Sequence, residues 1–163
     1  RSVNADAVII QNMTGTTGAA WSDPVRGGEL AMGQIASGAD VIYHAAGPTG
    51  RGVLQAAADA GILGIGVDSN QNWMQPGSVL TSMLKRVDVA VFNAFNDAKN
   101  DSFTGGTVVM GVAEDGVGYS LDEHNAPLIT AEMKAAVEGA KAGIIAGDIV
   151  IHDYLTDGKC PAN

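Results

Sequence analysis

The hydrophobic pattern opens with a short apolar run, Ala7-Val8-Ile9-Ile10, which predicts a buried strand. A polar, glycine-bearing stretch, Gln11-Asn12-Met13-Thr14-Gly15-Thr16-Thr17-Gly18, follows as a loop. Asp23-Pro24 then signals a helix start, with Asp as the N-cap and Pro at the first helical position. Val25, Ala31, Met32, Ile35 and Ala36 line one face of that helix, and Gly38 is its expected stop. Val41-Ile42-Tyr43 reads as the second strand. Gly47-Pro48-Thr49-Gly50-Arg51-Gly52 turns into a second helix through residues 53–58, which ends at Gly61. Leu63-Gly64-Ile65-Gly66-Val67 is the third strand and ends on Asp68. A strand recurs every 25–30 residues or roughly so, the crossover length that parallel strands require. Residues 1–72 are therefore expected to form an α/β, doubly wound parallel sheet.

The remainder is less regular. Gln75-Pro76-Gly77 is a turn, and Val79-Leu80-Thr81-Ser82-Met83 is a short strand or an extended hinge segment. Val87, Val91, Ala94, Phe95 and Ala98 recur at helical spacing within residues 87–99. Gly105-Gly106 precedes an expected strand, Thr107-Val108-Val109-Met110-Gly111. A helix over residues 131–145 is expected, capped by Thr130, and Ile149-Val150-Ile151 reads as a last strand. The expected organisation is a parallel α/β core over 1–80, a crossing segment and helix over 81–106, and a return segment, helix and tail over 107–163.

Composition narrows the functional classes. Nine basic and 18 acidic residues give a net charge of −9. That charge repels a phosphate backbone, and no Lys/Arg cluster offsets it, so nucleic-acid binding is not expected. A 46% apolar share is too high for a disordered acidic tail. No apolar run approaches the length of a membrane-spanning helix. Cys160 is the only cysteine, so no internal disulfide can form. The chain begins at Arg1, as a mature, trimmed or fragmentary product would.

Candidate chemistry gathers where ligands bind open α/β sheets, beyond the carboxyl ends of the strands. Three loops meet that description: residues 12–21, 47–52 and 68–71. Trp21 offers a flat face for stacking an aromatic ligand, or else a cover for its own loop. The 47–52 turn is neither a Walker A nor a clean dinucleotide fingerprint. Its backbone N–H groups suit a polar ligand atom, and a tight strand-to-helix turn explains the glycines equally well. Asp68 could accept two hydrogen bonds from the hydroxyls of a ribose, or cap the following turn. Lys85 reads as an ordinary surface lysine. His44, His124 and His152 are scattered, no ligand spacing suggests a metal, and no nucleophile motif appears, so neither cofactor nor catalysis is expected.

Five motifs occur in order: Ser22-Asp23-Pro24-Val25-Arg26-Gly27, Gly38-Ala39-Asp40-Val41-Ile42, Ala45-Ala46-Gly47-Pro48-Thr49-Gly50, Ile65-Gly66-Val67-Asp68-Ser69-Asn70-Gln71 and Leu80-Thr81-Ser82-Met83-Leu84-Lys85. The series resembles the basic membrane protein family of ABC-transporter substrate-binding proteins, typified by purine nucleoside receptors. The resemblance implies a type I periplasmic-binding fold, of which this chain corresponds to the C-terminal half without its N-terminal lobe. Residues 81–106 would then pack with that lobe. By the same resemblance Trp21 stands at a base-stacking position usually held by Phe. Gly47 matches a glycine that touches the ligand through its backbone. Asp68 matches the carboxylate that grips ribose hydroxyls, and Lys85 the lysine that approaches the sugar or braces that carboxylate. Pro48, where a second glycine is common, stiffens the turn by fixing φ.

The expected function is capture of a purine nucleoside or related flat ligand in an interlobe cleft and delivery to a membrane permease. Such a protein works in the periplasm or on the outer face of the cytoplasmic membrane, from a lipid-anchored precursor. The missing lobe or a dimer partner is a further expected partner, through Val87, Val91 and Phe95. The competing reading is a stand-alone flavodoxin-like nucleotide-binding domain with an enzymatic or signalling role.

Overall fold

A computed structural model describes residues 4–159 of the chain. Its elements are α1 (Pro24–Ala36), β1 (Val41–Tyr43), α2 (Gly50–Asp59), β2 (Leu63–Gly66), β3 (Val79–Lys85), α3 (Val87–Lys99), β4 (Val117–Tyr119), α4 (Ala131–Ala146) and α5 (Tyr154–Asp157). The sheet order is β1-β2-β3-β4, and β1, β2 and β3 run parallel, as the crossover spacing implies. The chain divides into two compact units: residues 1–86 with 118–128, and residues 87–117 with 129–163.

Local chemistry explains the first unit. Asp23 caps α1 by accepting from the Arg26 N–H at 3.0 Å, with Pro24 as the first helical residue. Gly38 and Gly61 follow the ends of α1 and α2 with φ of 94° and 69°, a conformation that costs glycine little. Ala31 of α1, Ile42 of β1 and Val53 of α2 form a buried cluster, with Leu54, Ala57, Val67 and Val79 also buried. The two helices approach closely where side chains are absent. A Cβ on Gly27 would strike the Thr49 carbonyl, and one on Gly52 the Pro24 carbonyl. That closeness brings the start of α1 against the start of α2.

The second unit contains α3, α4 and α5. Thr130 caps α4 through the Met133 N–H at 3.1 Å, as expected from the sequence, and Gly147 ends it with φ of 82°. Val87, Val91 and Phe95 of α3 are exposed.

Three expected strands are absent. Residues 7–10 form no strand; Val8, Ile9 and Ile10 are exposed along a cleft of about 1080 Å³ beside α1 and β1. Their loop is tied instead by side chains, Gln34 Nε2 donating to Asn12 Oδ1 at 2.9 Å. Residues 107–111 run as coil, exposed over 107–109 and partly buried at Met110 and Gly111. Residues 149–151 are also irregular, because the chain folds back on its own helix: the Ile149 N–H donates to the Gly143 carbonyl at 3.1 Å. An apolar β-branched run supplies only one side of a ladder, and among the described residues none of these runs pairs into the sheet. Conversely, β4 went unforeseen, since Val117-Gly118-Tyr119 has no apolar run to announce it.

Candidate functional site

The loops after β1 and β2 meet the loop before α1 at one edge. A 3-10 turn over Gly18–Trp21 carries the indole to that edge. Thr49 pins it there: its hydroxyl donates to the Ala20 carbonyl at 2.7 Å and accepts from the Asp23 N–H at 2.8 Å. Both partners flank Trp21, so one buried hydroxyl sets where the indole stands. Trp21 remains 55% exposed, and a Cβ on Gly47 would lie 3.4 Å from its ring. Gly47 holds φ of 53°, a left-handed turn that a side chain would strain as well as crowd.

Asp68 and Lys85 form the second pair. Lys85 Nζ lies 3.0 Å from Asp68 Oδ1, and the Lys85 N–H donates to the Asp68 carbonyl at 2.9 Å. The adjacent parallel strands β2 and β3 put both residues at one end of the sheet. Their side chains are 48% and 59% exposed, so this ion pair contributes only about 0–1 kcal/mol to stability. It stays open to solvent and able to accept or donate toward a ligand. Asp68 also has φ of 69°, a left-handed conformation that costs an L-residue about 1–2 kcal/mol, eased for Asp.

No direct contact joins Trp21 to Asp68 among the described residues. Two residues that sequence reasoning passed over, as a scattered histidine and part of a motif, connect the chain after β1 to the turn after β2. His44 Nε2 lies 3.0 Å from Gln71 Oε1, which also accepts the Val67 N–H at 2.9 Å. His44 is only 4% exposed, and its ring fills the space that a Cβ on Gly50 would need. Burial holds its pKa below the ordinary 6.5, against smaller upward pulls from the Gln71 hydrogen bond and the Asp68 charge. Its Nδ1 is buried without a hydrogen-bond partner.

A buried amide and hydroxyl network fixes the turn after Asp68. The Gln71 N–H donates to Ser82 Oγ at 3.0 Å, and Ser82 and Ser120 hydroxyls both donate to Asn72 Oδ1, at 2.9 and 3.0 Å. Asp122 accepts from Asn70 Nδ2 at 2.6 Å and from Asn72 Nδ2 at 3.3 Å. The Asn70 bond chiefly holds the Asp122 carboxyl below its usual range. Trp73, a second exposed indole, donates from Nε1 to the Asn70 carbonyl at 3.0 Å. The polar partners in this network lie up to 52 positions apart, so no local spacing announces them. Among the described residues no cluster of His, Cys, Asp or Glu could hold a metal ion. Cys160 lies outside the described residues.

Polar groups beyond the carboxyl ends of parallel strands stand where open α/β sheets bind ligands. The family comparison agrees: residues 1–153 match the model described as ABC transporter substrate-binding protein PnrA-like, and the chain belongs to that family. It is 37% identical over 145 residues to the "CD4+ T-cell-stimulating antigen" of Listeria monocytogenes, covering 77% of this chain and 39% of that protein. It is 32% identical over 169 residues to the "ABC transporter nucleoside-binding protein BmpA" of Lactococcus lactis, covering 93% of this chain and 46% of that one. Among solved structures, a solute-binding protein of an ABC transporter system from Aeropyrum pernix superposes with a TM-score of 0.69. It has 28% identity and covers 83% of this chain and 47% of that one. The chain thus spans 39% to 47% of the length of these proteins. The resemblance read from the five motifs and the α/β parallel fold are both supported by these matches.

Proposed function

We propose that this chain supplies the ligand-gripping edge of a solute-binding protein that captures a purine nucleoside and delivers it to an ABC permease. The observation that carries the reading is the pairing of two open groups on one edge. A half-exposed indole lies against Gly47, and a half-exposed carboxylate lies against Lys85. The base stacks on Trp21, worth about 1–3 kcal/mol. Asp68 accepts the ribose hydroxyls, and charged acceptors contribute about 1.5–3 kcal/mol per bond when water is excluded. Gly47 presents backbone to the ligand, and the Lys85 ammonium, 3.0 Å away, orients the Asp68 carboxylate. The ligand leaves unchanged, as in a transporter's substrate-binding protein, the family to which the chain belongs.

The name of the Lactococcus relative points to the same ligand class. In the two-lobed proteins that the motifs resemble, a facing lobe closes over this edge. Micromolar binding, about −8 kcal/mol, needs that closure, and the open edge alone binds weakly. The site of action is the outer face of the cytoplasmic membrane or the periplasm, where a permease receives its solute.

Isothermal titration of the complete translated product carrying this sequence against inosine, guanosine and adenosine tests the reading. Heat of binding without turnover is the expected result, abolished in Asp68→Ala. Absence of heat with all three nucleosides would overturn it.

A further inference from the structure

The buried His44 has no role in the ligand grip just described, yet it joins the two halves of the site. Its protonation state follows from its partners. The Val67 N–H can only donate, so the Gln71 atom that receives it at 2.9 Å is the amide oxygen. The same oxygen faces His44 Nε2 at 3.0 Å, so Nε2 must carry the hydrogen. Nδ1 is then a bare lone pair, buried and without a partner. The ring sits against Gly50, the first residue of α2, whose helix end carries partial positive charge.

A proton added to Nδ1 would create a buried donor with no acceptor beside that positive end. The groups around the ring offer little compensation. Gly50 on α2 has no side chain, and Gln71 already spends its oxygen on two donors. The charged group acting on the ring is Asp68 beyond β2, itself engaged by Lys85 of β3.

We propose that His44 is a positioning residue of the ligand site: its neutral, Nε2-protonated ring locks the Gly47 turn to the Asp68 turn, and acidification unlocks them and lowers ligand affinity. Direct geometry supports both ends of the lock. His44 Nε2 and the N–H of Val67, the residue before Asp68, share the Gln71 oxygen, and the ring packs against Gly50, which directly follows the turn that begins at Gly47. The ligand part of the proposal rests on the nucleoside reading above, whereas the lock itself does not.

The test therefore has two arms. In the ligand-free protein, histidine side-chain 15N spectra at pH 7.5 should show His44 as the Nε2–H tautomer. The Val67 and Gly47 amide signals should then move together with the His44 titration as the pH falls toward 5. An Nδ1–H tautomer, or amide signals indifferent to that titration, would overturn the lock whatever the protein binds. In the second arm, inosine affinity is measured from pH 7.5 to 5.0 for the wild type and for His44→Gln, which keeps a donor toward Gln71 and cannot titrate. Wild-type affinity should fall by up to about tenfold per pH unit below the folded-state pKa, while the variant's stays flat. Equal slopes would remove His44 from the pH response. If neither protein binds inosine at pH 7.5, the nucleoside reading fails and the first arm alone decides the lock.

Discussion

Asp68 combines two properties that a single substitution can separate. Its left-handed backbone is a strain that glycine removes, while its carboxylate is the proposed ribose grip. Asp68→Gly should therefore leave thermal stability unchanged or slightly raised, because the half-exposed Lys85 loses little with its partner. Nucleoside binding should nonetheless disappear in calorimetry. A large fall in melting temperature would show instead that the carboxylate serves the fold. At Trp21, Phe should retain binding and Ala should lose roughly ten- to a hundredfold, the range of one stacked base. Equal affinity in Trp21→Ala would place the base elsewhere. Acid stability is also set by single residues. His44, held below 6.5 by burial, contributes stability that is complete above pH 6.5 and is lost as the pH falls from there through its folded value. Asp122, held below 3.8, contributes stability that persists above pH 3.8 and is lost in stronger acid. Urea midpoints between pH 7.5 and 5.5 should decline in the wild type, and His44→Gln should flatten that decline.

Between α1 and α2 the controlling feature is what is missing from their contact. Gly52 lies so close to the Pro24 carbonyl that any Cβ forces the helices apart. Gly52→Ala should cost about 1–3 kcal/mol in denaturant unfolding, the range for overpacking. It should also weaken ligand binding, because the start of α1 carries the Trp21 turn. A neutral outcome in both measurements would contradict the close packing. This level is also where the sequence is most and least informative. α1, β1, α2 and β2 were legible because caps, C-terminal glycines and periodicity act locally, within a few residues. Residues 7–10, 107–111 and 149–151 misled because strand formation depends on a neighbour that local pattern cannot see. The candidate site divides the same way. The positions of Trp21, Gly47, Asp68 and Lys85 at strand ends and loops follow from local signals, whatever their role. The pairing of His44 with Gln71, across 27 positions, follows only from the β1–β2 register.

For the molecule as a whole, two units and a net charge of −9 frame what the edge can do. The chain covers about half the length of its solute-binding relatives, and the proposed grip on base and hydroxyls would stay open until a facing surface excludes water. The complete translated product should therefore gain melting temperature with inosine by mass action. Residues 1–163 alone should gain much less. Equal shifts in both would show that this edge is sufficient. The claim beneath all of these is that an indole and a carboxylate from separate loops hold one nucleoside. A crystal structure of the complete product grown with inosine tests it most directly. The account predicts the purine ring over Trp21 and the ribose hydroxyls on Asp68. A nucleoside bound without touching either residue would contradict it.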